Sequence, residues 1–268
     1  MRQTLLVFIA LVTTVQLLAQ CRLVRYEAAD SSETTFYFYD KQGKLSAEKL
    51  VAVMNGKRSQ SDFQYAYNAQ NQLVTIHIYQ DDTLITLRNL IYVNNVPTQL
   101  ISTYPADTSM GLGTFFYNDK GQVVRYFEKS SKGGDSRSIS YEYAPEGWLK
   151  RGISTSSGTV YAQSQWMVET IWDADKKIMD EPSRVFFAGY PLIPSSWILP
   201  IAPLSVKGNI KGIIQYKKDK TGQFAPTLEG EVFDVKANAE GLWTENKWRL
   251  KGNNTVFTYR AFYEGCKN

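Results

Sequence analysis

The chain has a single histidine, His77, among 268 residues, and only two cysteines, Cys21 and Cys266, one near each end. One histidine removes the triads and multi-histidine metal centres on which much known catalysis rests. Two cysteines with nothing between them leave no Cys-rich zinc site and no dense disulfide framework. A surplus of one charge is also missing. Thirty Lys and Arg stand against 26 Asp and Glu, a net charge of +4, and the basic residues are scattered along the chain. The densest basic run, Lys217-Lys218-Asp219-Lys220, reads as a solvated turn tip, so nucleic acid is not an expected partner. Beyond the N-terminal segment no stretch combines a helical apolar period with caps, and none reaches the roughly 20 apolar residues of a spanning helix.

What the sequence does have is aromatic side chains, 17 Tyr and 13 Phe among 43% hydrophobic residues. That composition suits a folded chain rich in strands, where flat rings pack on a pleated surface. Residues 1–19 read as a secretory signal: Arg2, an apolar stretch Leu5 to Val12, then a polar-to-small exit through Thr13, Thr14 and Ala19. Two readings meet at Cys21. Leu18-Ala19-Gln20-Cys21 resembles a bacterial lipobox, which would acylate Cys21, but Gln20 stands where that motif wants a small residue. The preferred reading is a Cys21–Cys266 disulfide stapling the first and last strands in an oxidising compartment. In the chain-entropy picture, closing so long a loop contributes about 4 to 5 kcal/mol.

A phrase recurs along the chain: aromatic, any residue, Tyr, a turn former, two or three polar residues, Gly, polar, apolar. Its clearest copies are Phe115-Phe116-Tyr117-Asn118-Asp119-Lys120-Gly121-Gln122-Val123 and Tyr37-Phe38-Tyr39-Asp40-Lys41-Gln42-Gly43-Lys44-Leu45. Related copies begin at Tyr65 and Tyr141, and weaker ones surround Asp173 to Ile178, Lys218 to Phe224 and Asn238 to Leu242. The phrase is a hairpin: Asn or Asp bonds the backbone ahead of it, and Gly or Asn takes the later position that needs positive φ. The flanks alternate as half-buried strands do, with Ile139, Tyr141 and Tyr143 on one face against Ser140 and Glu142, and Phe63, Tyr65 and Tyr67 against Gln64 and Ala66. A degenerate turn is expected around Asn94 to Pro97. Turns near Gly43, Asn71, Gly121 and Gly147 fall at multiples of roughly 25 to 28 residues, so each period holds two strands of about 10 residues. The expected fold is therefore all-β: an antiparallel meander of repeated long hairpins over residues 20–268, about 16 strands forming a large curled sheet or closed barrel.

The phrase resembles the tyrosine–aspartate repeats of bacterial Rhs-type wrapping proteins. The chain from about Phe36 to Leu242 is also similar to a group of secreted bacterial proteins of unknown function with a porin-like β fold. Neither resemblance carries a catalytic residue.

Candidate chemistry is thin. His77 alternates with Thr75 and Tyr79 opposite Val74, Ile76 and Ile78 and has no partner that would make it a general base. Asp173 and Asp175 hint at a calcium loop, but Lys176 and Lys177 follow where further oxygen ligands belong. Asp81-Asp82 reads as a turn, and the Asn253-Asn254-Thr255 sequon has little meaning in a bacterial chain. Carboxylates paired for glycoside hydrolysis leave no sequence signature. The segment Val185 to Val206 breaks the repeat: it is uncharged, holds Pro191, Pro194, Pro200 and Pro203, and carries aromatic side chains. It either packs inside the sheet as a plug or lid or forms an exposed apolar patch that binds a ligand, with Phe187, Tyr190 and Trp197 as the candidate contacts.

The reading is an exported, non-enzymatic binding or structural protein of the bacterial envelope or exterior, with no cofactor or metal. It would be periplasmic or extracellular, lipid-anchored through Cys21 in the alternative, and not membrane-spanning. A glycan or apolar ligand suits the aromatic faces. Two other classes stand beside it: a carboxylate-based hydrolase acting on polysaccharide, and an outer-membrane β-barrel. Against the barrel in a membrane stand strand charges such as Arg125, Glu142 and Lys150 and the C-terminal Lys267-Asn268.

Overall fold

The structure is a computed structural model that describes residues 22–145, 149–157, 164–173, 209–219, 221–239, 242–252 and 256–266. Sixteen strands follow one another: β1 (Arg22–Ala28), β2 (Glu33–Tyr39), β3 (Leu45–Met54), β4 (Lys57–Tyr67), β5 (Leu73–Gln80), β6 (Thr83–Val93), β7 (Val96–Tyr104) and β8 (Ser109–Tyr117). The second half comprises β9 (Val123–Ser130), β10 (Ser136–Tyr143), β11 (Leu149–Ser157), β12 (Ser164–Asp173), β13 (Asn209–Lys218), β14 (Phe224–Ala237), β15 (Trp243–Leu250) and β16 (Val256–Glu264). Each pairs antiparallel with its sequence neighbours. β1 also pairs with β16, from Arg22↔Glu264 to Ala28↔Tyr259, which closes the sheet into a barrel. Closure leaves no edge strand to template aggregation.

The repeated phrase explains one rim of this barrel. In the turns opened by Asp40, Asn68, Asn118 and Asp219, the side-chain Oδ1 accepts the N–H groups two and four residues ahead at 2.8–3.0 Å. The residue three ahead, Gly43, Asn71, Gly121 or Gly222, takes positive φ, as an Asx-opened turn requires. Three of these turns lie on one end of the barrel, joining β2–β3, β4–β5 and β8–β9; the Asp219 turn joins β13–β14 at the other end. The degenerate turn is a two-residue loop in which Asn94 and Asn95 both have positive φ, the pattern that matches strand twist.

The two aromatic positions of the phrase do different jobs. The first, Tyr37, Tyr65, Phe115 or Tyr141, is buried in the core. Just before the second, at Tyr39, Tyr67, Tyr117 and Tyr143, the register slips by one residue; such a bulge re-aims the side chain. Its hydroxyl then donates to a backbone carbonyl one repeat back: Tyr39 to Leu23 at 2.9 Å, Tyr67 to Leu45 at 2.9 Å, Tyr117 to Pro97 at 2.5 Å and Tyr143 to Val123 at 2.8 Å. Tyr92, in the degenerate copy, does the same to Leu73 at 2.9 Å, after its own slip. Five rungs thus tie successive hairpins from β1 to β10 with bonds that local pairing does not supply.

Among the described residues, inward side chains from β1 to β10, β15 and β16 form one buried cluster that includes Ile76, Ile139 and Trp248, and Leu228 and Val232 of β14 pack against it. Tyr26 stacks on Tyr259 with centroids 5.1 Å apart. Glu48, only 2% exposed, accepts a 2.9 Å hydrogen bond from Tyr65, and so meets the requirement that a buried charge be partnered. Burial, then the Glu48 charge, pushes the Tyr37 hydroxyl well above its ordinary range.

Candidate functional site

At the end of the barrel opposite the ladder, the β7–β8 and β9–β10 connections are not copies of the phrase, and the mouth beside them holds a cavity of about 460 Å³. That lies within the 300–1,000 Å³ range of small-molecule sites. Its wall is drawn from the ends of β6 to β10 and the two loops between them.

Small residues make the room. Gly111 and Gly113 alternate on β8, paired with Ser130 and Glu128 of β9. A Cβ on Gly111 would lie 2.5 Å from Glu128 Oε1, and one on Gly113 would run into the Tyr126 ring. Glycine inside a strand commonly marks such a close approach. Tyr126 thereby lies against Phe115, centroids 5.2 Å apart, and shares a hydrogen bond with Glu128. Burial raises the Tyr126 pKa far above its ordinary value, and Glu128 adds to this, while Arg88 and Arg137 oppose it. Of these groups, Glu128 and Arg137 line the cavity itself.

The rim is tied by ionic and turn contacts. Asp107 accepts the backbone N–H and the hydroxyl of Ser109 at 3.0 and 2.6 Å. Its other oxygen meets Lys132 Nζ at 3.0 Å, joining the β7–β8 turn to the β9–β10 loop. The Ser109 bonds, then Lys132, hold the Asp107 carboxyl down at about 2. Gly133 and Gly134 both take positive φ in that loop, and Ser131 anchors it by accepting from the Met110 N–H at 2.9 Å. Asp135 is buried beside them. Tyr104 adds an aromatic surface to the lining, and Ser109, Ser130 and Ser136 add hydroxyls.

The residues singled out in the sequence lie elsewhere. Phe187, Tyr190 and Trp197 fall outside the described residues, as do the rest of Val185 to Val206, Asp175, Cys21 and the segment 1–19. Cys266 follows β16, where Asn238 Nδ2 approaches its sulfur at 3.9 Å. His77 faces the outer wall edge-on to Tyr79. Asp81 is a turn residue that accepts the Gln60 N–H at 2.8 Å. Among the described residues no three His, Cys, Asp or Glu side chains converge on one point. The mouth was missed because its members are scattered over five strands. Two signals were present: the Gly111-x-Gly113 alternation, and a Ser130-to-Asp135 loop that departs from the phrase.

The barrel is similar to two solved structures. A porin-like protein from Bacteroides uniformis matches over 90% of this chain and 95% of its own, with 14% identity and a TM-score of 0.54. A porin-like protein from Bacteroides vulgatus matches over 90% and 98%, with 9% identity and a TM-score of 0.52. The likeness is one of fold, and the chain has a porin-like β architecture. A TcdB2-TccC3-TEV structure overlaps 87% of this chain but 14% of its own, at 11% identity and a TM-score of 0.33. No family model and no curated protein matches the sequence.

Proposed function

We propose that the protein is an exported, non-enzymatic barrel of the bacterial envelope or exterior that holds a short saccharide in the mouth formed by β6 to β10. The observation that carries this reading is the lining of the 460 Å³ cavity: charged donors and acceptors, Arg137, Glu128, Asp107 and Asp135, set among serine hydroxyls beside the Tyr104 ring. Sugars present a rim of hydroxyls and an apolar ring face, and such a lining satisfies both. Titration calorimetry against a panel of neutral, acidic and amino oligosaccharides tests the reading. Saturable binding lost in Glu128→Gln and Arg137→Gln supports it; no binding to any member, or binding that survives both changes but is lost in Trp197→Ala, sinks the mouth as the site.

The hydrolase reading is the second one, because Asp107, Glu128 and Asp135 bring three carboxylates to the same mouth. Release of reducing ends from a bound oligosaccharide, lost in Glu128→Gln, would replace binding with catalysis. The export half of the proposal includes the Cys21–Cys266 staple. The β1–β16 pairing supports it by setting Arg22 opposite Glu264, and no described cysteine is free. Intact mass of the secreted protein decides: a gain of about two mass units on reduction for the staple, or added acyl mass on Cys21 for an anchor.

A further inference from the structure

The outer wall of the barrel is not uniform. Among the residues of β5, β6, β7 and β8 the only ionic side chain is Arg88, and it faces inward, paired in register with buried Ser102. The outward rows of these strands run Leu87–Thr103–Met110, Asn89–Ile101–Leu112 and Ile91–Gln99–Thr114. Seven of the eleven large hydrophobics exposed among the described residues lie on β6 to β8, with Met110 and Leu112 each 49% exposed and Phe116 45%. Over β14 to β16 the same wall is covered by ion pairs, among them Lys236–Glu245, Arg249–Glu231 and Arg260–Glu245.

We infer that the outward face of β5 to β8 is a docking surface for a phospholipid bilayer, against which the barrel lies on its side without crossing it. Three features choose this occupant. Closure of the sheet removes the strand-addition mode of partner binding, since β5 to β8 are all paired on both sides. Four strands about 4.8 Å apart, with about 20 Å of each exposed, make a patch of about 400 Å², half of the roughly 800 Å² that each partner contributes to a stable dimer. Two convex walls would bury less still, whereas a bilayer conforms to a cylinder. Finally, the patch is bordered on β9 by Arg125 and Lys129, opposite Phe116 and Leu112. The Arg125 guanidinium lies 5.6 and 5.7 Å from the Phe116 and Phe127 rings. A basic head carried on an apolar flank is the arrangement that meets lipid headgroups.

The test is flotation of the mature protein, lacking residues 1–19 and never acylated, with phosphatidylethanolamine/phosphatidylglycerol vesicles on a sucrose gradient. Wild type is expected to rise with the vesicles and Leu112→Asp/Phe116→Asp to stay at the bottom. Val235→Asp/Val256→Asp, which alters exposed apolar residues of the ionic sector, should float as wild type does. Matching thermal melts for the three proteins exclude misfolding as the cause. Wild type that does not float overturns the inference; if it also sediments as a dimer that Leu112→Asp/Phe116→Asp breaks, the face belongs to a second copy. Equal loss of flotation in both double variants overturns it as well.

Discussion

The two ends of the barrel are built on opposite plans. At the ladder rim one phrase is used again and again, and its two defining polar groups are consumed: the Asx oxygen by the turn, the tyrosine hydroxyl by the preceding repeat. At the mouth the turns differ from one another, and Glu128, Arg137 and Tyr104, from three different strands, line one cavity. Repetition stabilises because each hairpin presents the next with the same acceptor at the same height. Irregularity makes a site because turns and strand ends of differing sequence bring different functional groups to one cavity.

Breaking the rim's core should cost most. Tyr65→Ala removes a buried ring and strips Glu48 of its hydrogen bond; it is expected to lower stability by about 3–5 kcal/mol, read from urea unfolding. Gly113→Ala, at the mouth, forces the Tyr126 ring aside and should cost about 1–3 kcal/mol, while also weakening ligand binding. A smaller change, Tyr117→Phe, leaves the ring and deletes one rung, for about 1 kcal/mol. Asn118→Asp should be close to neutral, since Asp40 and Asp219 already open equivalent turns. If Tyr117→Phe proves silent, the rungs merely accompany the strand pairing and the contrast between the ends loses its energetic half.

The mildest effect is a pH slope at the mouth. Asp107 is held at about 2, below its ordinary 3.8, by Ser109 and Lys132. A depressed carboxyl stabilises the folded state in full above its unfolded value and loses that contribution as pH falls through the folded value. Between pH 3.8 and about 2 the wild type should therefore lose stability more steeply than Asp107→Asn. Parallel acid melts of the two proteins would show that the Asp107–Lys132 link adds nothing to the fold.

The hairpins were legible because they are local. An Asx residue, a positive-φ position three residues later and alternating flanks are contiguous in the sequence, and they recur often enough to count strands. The split between the two aromatic positions was only half legible. Tyr141 and Tyr143 read as neighbours on one face, whereas the one-residue slip before Tyr143 turns its hydroxyl to Val123, twenty residues back. Nothing near Tyr143 in the chain names that acceptor. The mouth was less legible still, since a glycine on β8 acquires meaning only beside Tyr126 on β9.

By itself, then, the sequence determined an all-β meander of about sixteen long strands, its turns, and which side chains alternate between the two faces of a strand, because those properties follow from spacings of two to nine residues. Only the tertiary structure decided that β1 meets β16, that inward side chains from distant strands join in one buried cluster, that an uncharged wall lies opposite an ion-paired one, and that Arg137, Glu128 and Tyr104 share a cavity. Those depend on how strands far apart in the chain are set around a closed sheet, where register and curvature, and no local pattern, bring side chains together.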